Sequence, residues 1–139
     1  MKALDLRRAS RVLAIACAVA IAFLSLAPAG ESSSGLLSML EAYARLILGP
    51  WVQGDKVGHF TAYAGLGCLA AFGIRSMGPV ALAVLAATIL AYGGTMELLQ
   101  GLLANRNASL GDLMANTLGM LTGFGTAEGA HALLKRYQI

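Results

Sequence analysis

The sequence predicts an all-α membrane protein: a bundle of four transmembrane helices with a short amphipathic helix in the first outer loop. Three observations predict it. Hydrophobic residues make up 58% of the 139-residue chain and charged residues only 12%, with a mean hydropathy of +0.71. A soluble domain carries about twice that charged fraction, so too little polar surface remains to wet a globule. Four apolar runs each approach the ~20 residues that cross a bilayer. The basic residues also segregate in the way that sets membrane orientation.

The first run, Val12 to Ala27, is stopped by Pro28, which places a span at about 12–28. The same segment has a basic start, a short apolar middle and an A-x-A pattern at Ala27-Pro28-Ala29, so a cleaved signal peptide is the competing reading. A retained anchor is the expectation followed here. The second run, about 57–74, opens on polar residues, Asp55 and Lys56. The third, about 79–100, begins at Pro79, where the missing amide donor does no harm. The fourth covers about 110–127, with a continuation towards Leu134.

Between the first two runs, Leu36, Leu37, Leu40, Tyr43, Ala44, Ile47 and Leu48 recur at helical spacing over about 36–48. Ser38, Glu41 and Arg45 share the opposite face, and Glu41 precedes Arg45 by one turn, the favourable order for an ion pair. Trp51 follows, a residue that prefers the membrane interface. A helix lying on the outer surface and a lid over the bundle are both consistent with this pattern.

If all four runs span, the inner face receives Lys2, Arg7, Arg8, Arg11, Arg75, Lys135 and Arg136. The outer face receives only Arg45, Lys56 and Arg106. Seven against three obeys the positive-inside rule, so both termini are expected in the cytoplasm of a bacterial cell and the protein in its inner membrane. The net charge of +3 therefore reads as topology. No basic stripe alternates with aromatics, and nucleic acid is not an expected partner. Membrane lipids are. No internal repeat suggests a pseudo-symmetric transporter.

That topology places the unusual residues by depth. Asp55 and Lys56 lie at the outer interface, with His59 one turn in and Tyr63 two turns in. Glu97 and Gln100 close the third run at the same side, and Arg106 lies in the second outer loop. Ser109 and Asp112 open the fourth run, with Asn116 a turn deeper. Asp55, His59 and Tyr63 are related by i, i+4 steps and share a face, as do Ser109, Asp112 and Asn116 at their spacing. Glu97 and Gln100 share a face with Gly93 one turn below. Alongside Asn116 runs a row of small residues, Ala115, Gly119, Gly123 and Ala127, which lets helices approach closely. Three polar faces can converge on an outward-facing pocket.

In such a pocket His59 beside Asp112 or Glu97 is suited to acid–base work. Arg106 and Lys56 are suited to hold a phosphate or carboxylate. The alternative is a buried ionic network that ties three helices together. His, Glu and Asp can also ligate a metal, but no HExxH-type spacing accompanies them, and neither a metal nor another cofactor is expected. Cys17 and Cys68 match no metal or redox spacing and read as buried small hydrophobes. Tyr92 and Thr95 read as packing residues, and His131 as solvent-exposed. Asn107-Ala108-Ser109 matches a glycosylation sequon, relevant only in a glycosylating host.

"DKVGHFTAYAGLG" followed by "ELLQGLLANRNASLGDLMANTLGMLTGFG" resembles the VanZ-like family of small multi-pass membrane proteins. The matching features are D-K-x-x-H-F-x-x-Y opening the second helix, E-x-x-Q closing the third, an arginine, and S-x-x-D-x-x-x-N-x-x-G in the fourth. The match covers about Asp55 to Gly123 and carries over Asp55, Lys56, His59, Tyr63, Glu97, Gln100, Arg106, Ser109, Asp112 and Asn116. The resemblance implies a retained first helix and a link to glycopeptide tolerance, since the family is named for a member associated with teicoplanin resistance. It implies no established reaction. The long outer loop, Pro28 to Gly54, and the short tail depart from many relatives. The resulting expectation is a pocket that binds or modifies an anionic envelope component, with a lipid-linked precursor or a glycopeptide as partner. In it His59, Glu97 and Asp112 form the chemical centre, and Asp55, Lys56, Tyr63, Gln100, Arg106 and Asn116 contact the ligand. A non-enzymatic membrane scaffold is the alternative.

Overall fold

A computed structural model describes residues 3–26, 35–49, 53–74, 78–103 and 109–137. Arg106, Trp51, Arg75, the Ala27–Ala29 and Asn107 motifs and the Glu41 side chain lie outside the described set. Five α-helices account for the regular structure of the described residues: α1 (Ala3–Leu26), α2 (Gly35–Leu48), α3 (Gly54–Phe72), α4 (Pro79–Gly101) and α5 (Leu110–Arg136). They overlap the four apolar runs and the amphipathic loop segment, but α1 starts at Ala3, well before Val12, because its basic first turns are helical too, and α5 runs on past Ala127 to Arg136. Pro79 is the first residue of α4, as its fixed φ favours. Helix α2 stops at Gly49, whose φ of 105° glycine adopts without strain and whose amide closes back on the Arg45 carbonyl at 3.0 Å.

Apolar and polar residues are distributed as in a membrane-like protein. Val12, Ile15, Val19 and Phe23 of α1, Val80, Val84 and Leu98 of α4, and Leu118 and Leu121 of α5 are exposed. Meanwhile Glu97, Gln100, Asp112 and Asn116 are buried. Exposed threonines keep the outer surface free of unpaired donors: Thr88, Thr95, Thr122 and Thr126 each donate to the carbonyl four residues back at 2.8–2.9 Å. Among the described residues, α1 and α4 are long and apolar enough to cross a bilayer, with hydropathies of 2.2 and 1.7 over Asp5–Leu26 and Pro79–Gly101. Helices α3 and α5 fall short on composition because their first turns carry the polar cluster and their facing sides are built of glycine and alanine.

Those small residues determine the packing. Helices α3 and α5 run parallel in the closest pairing of the bundle. A Cβ on Gly119 would collide with the Phe60 carbonyl oxygen, one on Gly123 with that of Ala64, and one on Gly67 would lie 2.7 Å from the Met120 carbonyl oxygen. Backbone therefore meets backbone along this seam, which side chains of any other size would prevent. Tyr63, Leu66, Ala71, Met120, Phe124 and Ala127 fill the core beside it.

Helix α1 closes the bundle through hydrogen bonds to other helices, among them Cys17 Sγ to the Ala62 carbonyl at 4.0 Å. Ser10 Oγ donates to the Leu69 carbonyl at 2.7 Å, Tyr92 Oη to Ala18 at 2.6 Å, and Gln100 Nε2 to Ser25 at 3.1 Å. These pairs make α1 antiparallel to α3 and parallel to α4. One end of the bundle thus collects Arg7, Arg8, Arg11, Lys135 and Arg136, and the other the first turns of α3 and α5 with the last turn of α4. Tyr92 is accordingly a tie between helices as well as a packing residue. His131 is not simply solvent-exposed: α5 continues past the last apolar run, and the imidazole stacks on Phe72 with ring centroids 4.8 Å apart. Its Nε2 lies 3.2 Å from the Phe72 carbonyl, one of the acceptors left over at the end of α3. Cys17 and Cys68 are free and half-buried.

Candidate functional site

At the end of the bundle opposite the basic termini, three helix ends meet: the first turns of α3 and α5 and the last turns of α4. Helix α3 begins at Gly54, so Asp55 and Lys56 occupy its first turn, and His59 follows one turn later. Helix α5 begins after Ser109, with Asp112 in its first turn and Asn116 in its second. Close backbone contact between α3 and α5 sets the separation of these side chains, and the polar residues on both helices are carried by that rigid seam.

His59 is held between two partners. Its Nδ1 lies 3.0 Å from Asn116 Oδ1 and 3.7 Å from Glu97 Oε1. The amide oxygen can only accept, so in this contact Nδ1 is the donor. Glu97 is buried, and its other oxygen accepts the Ser109 backbone N–H at 3.3 Å. That contact ties the end of α4 to the start of α5 and uses one of the free donors at a helix N-terminus. Lys56 reaches across Gly111, where a Cβ would lie 2.8 Å from Lys56 Cε, and its ammonium stands 3.5 Å from Asp112 Oδ1 while bonding Gln53 Oε1.

Below this layer Tyr63 is almost fully buried. A Cβ on Gly93 would lie 3.3 Å from its hydroxyl and 3.4 Å from Asn116 Nδ2, so this glycine on α4 makes room for both polar groups. Four buried polar atoms of the cluster lack a hydrogen-bond partner: Tyr63 Oη, Glu97 Oε1, Asp112 Oδ1 and Asn116 Nδ2. An unpaired buried polar group costs ~1–3 kcal/mol, and two of these four still face an ion-pair partner, Glu97 Oε1 with His59 at 3.7 Å and Asp112 Oδ1 with Lys56 at 3.5 Å, so the cluster is only partly satisfied.

The structure thus brings His59, Glu97, Asp112, Asn116, Tyr63 and Lys56 together. It does not bring Gln100 or Asp55 with them. The Gln100 amide is directed at Ser25 of α1, and Asp55 is exposed, its Oδ1 accepting the Lys56 backbone N–H at 2.8 Å. Gln53 and Gly111 are the additions that spacing alone did not single out; neither has a local signal, since each matters through Lys56. Next to the cluster, an open cavity of about 380 Å³ lies between α4 and α5, lined by Gly94, Glu97, Leu98, Ser109, Leu110 and Leu113. Exposed Leu98 and Leu110 flank its mouth, so the cavity opens onto the apolar outer surface. Glu97 lines this cavity and also faces His59.

The model of the VanZ/LLP1 family matches residues 11–132. No curated protein and no solved structure matches the chain.

Proposed function

Because the chain belongs to the VanZ/LLP1 family, we propose that it is a four-span protein of the bacterial inner membrane that binds or modifies a lipid-linked envelope component with an anionic head group. The observation that carries this reading is Glu97, which joins an apolar, lipid-facing groove to a buried polar cluster. A lipid tail fits the groove between α4 and α5, and its head group then reaches His59, Asp112 and Asn116. Lys56, partly exposed at the rim, supplies positive charge, and Arg106, three residues before Ser109 in the sequence and outside the described residues, is the second cation expected to contribute. His59 acts as acid or base, oriented by Asn116 and Glu97. Both termini are cytoplasmic, as the seven basic residues at that end favour, and the site faces outward. A contribution to glycopeptide tolerance follows if the component bound is a precursor of the wall.

Mass spectrometry of lipids co-purifying with the protein tests the binding, and His59→Gln tests the chemistry. A folded His59→Gln protein that no longer retains the lipid, or no longer supports tolerance, agrees with the proposal. Full activity in that variant removes His59 from the mechanism. A scaffold role is favoured by one observation, the interhelical bonds of Gln100 and Tyr92, and it would be supported if His59→Gln failed to fold.

A further inference from the structure

We propose that His59, Glu97 and Asp112 form a binding site for a divalent transition-metal ion of the zinc or manganese class. A ring nitrogen of His59 and one carboxylate oxygen each from Glu97 and Asp112 lie within 4.8 Å of one another. Three ligands at about 2.0–2.2 Å from an ion stand roughly 3–3.5 Å apart in a tetrahedral or facial arrangement. The widest separation in the set therefore has to close by roughly 1.3–1.8 Å for an ion to be held. An imidazole among the donors selects against magnesium and calcium, which take all-oxygen shells, and favours zinc, manganese or iron(II).

A second observation points to a ligand independently of the clustering. Glu97 and Asp112 are 5% and 6% exposed, and Glu97 Oε1 and Asp112 Oδ1 have no hydrogen-bond partner. Two buried carboxylates so close repel, and among the described residues their only charged or chargeable neighbours stand at long range, Lys56 Nζ 3.5 Å from Asp112 Oδ1 and His59 Nδ1 3.7 Å from Glu97 Oε1. The two carboxylates and the one ammonium together carry a formal charge of −1, which opposes an anionic head group. A divalent ion changes the sum to +1 and satisfies both orphan oxygens. It also leaves at least one coordination position open for a phosphate oxygen. This inference rests on the reading of the cluster as a head-group site and names how that site tolerates its own acids.

The test uses the full chain in detergent, purified without a histidine tag, stripped with EDTA and dialysed against Zn²⁺ or Mn²⁺ alone. The native protein should take up one ion per chain, with a rise in melting temperature that EDTA reverses. Asp112→Asn and His59→Asn should each weaken uptake at least tenfold, with folding checked by circular dichroism, whereas His131→Gln at the opposite end should not change it. Uptake well below one equivalent by the native protein at ~100 µM metal overturns the site. So does stoichiometric uptake that survives in both folded variants or disappears with His131→Gln. A lipid arm separates the two proposals. Metal uptake with no phosphate-bearing lipid bound supports the ion site and removes the head-group reading. Lipid bound to a native protein that takes up no ion does the reverse.

Discussion

Replacing Gly119 by alanine should separate α3 from α5 and disable the site without touching a polar residue. A Cβ there would lie 3.0 Å from the Phe60 carbonyl carbon and 3.1 Å from the Ala64 amide nitrogen, and closer still to the Phe60 oxygen. Carbon atoms in contact prefer about 3.5–4.0 Å, and the obstacle is backbone that cannot rotate away, so the helices must part by roughly 1 Å. Overpacking of this kind costs about 1–3 kcal/mol. Asn116 lies one turn before Gly119, and a shift of that size would stretch its 3.0 Å contact with His59 beyond hydrogen-bond range, adding ~0.5–1.5 kcal/mol. Against this stands a gain of up to about 1 kcal/mol in helix propensity. The net is a loss of roughly 1–3 kcal/mol, together with lost ligand retention. Gly125→Ala on the same helix is the control: nothing lies within 4 Å of its Cβ, so only the propensity gain remains. Unfolding by sodium dodecyl sulfate in dodecylmaltoside micelles, followed by circular dichroism, measures both. Equal stabilities for the two variants would refute the backbone-to-backbone seam.

Three further outcomes are expected. Tyr63→Phe removes a buried hydroxyl without a partner, so stability should hold or rise by up to ~1 kcal/mol while ligand retention falls; a destabilisation above about 2 kcal/mol would mean the hydroxyl is structural. His131→Ala should cost about 1–2 kcal/mol through the lost stack on Phe72 and the lost carbonyl bond, with lipid and metal binding unchanged at the far end. In a background lacking Cys17 and Cys68, a cysteine placed near Arg75 should be shielded from an impermeant thiol reagent in intact cells, and one near Arg106 labelled. The reverse pattern would invert the proposed topology.

The polar cluster was legible as a set because each member carries its own anomaly. A histidine, a glutamate and an aspartate inside apolar runs are conspicuous one residue at a time, and the alternation of runs brings their helix ends together. Which of them meet was not legible to the same degree. Helical spacing puts Glu97 and Gln100 on one face, yet three residues turn a helix by 300°, leaving the side chains about 60° apart. On α4 that angle separates two neighbours: Glu97 looks to α3 and α5, and Gln100 to Ser25 of α1. Asp55 shares a helical stripe with His59, but in the first turn the stripe has already left the bundle, and its carboxylate turns back to a local amide. The proposed metal ligands carry no spacing signal in the sequence because His59, Glu97 and Asp112 lie on three different helices, where no fixed interval exists to be found.

Five helices, the apolar outer surface, the small-residue seam and the family resemblance can all be read from the chain before it folds. They follow from composition, period and motif, which are properties of a segment before it has neighbours. That Asn116 bonds His59, and that Glu97 links an apolar groove to the polar cluster, emerges from the packing of the helices. The same packing places His131 against Phe72 and leaves four polar atoms in one place without hydrogen-bond partners. Those facts depend on the rotation of each helix about its own axis. Backbone contact at Gly67, Gly119 and Gly123 fixes that rotation for α3 and α5 to within a fraction of a side chain.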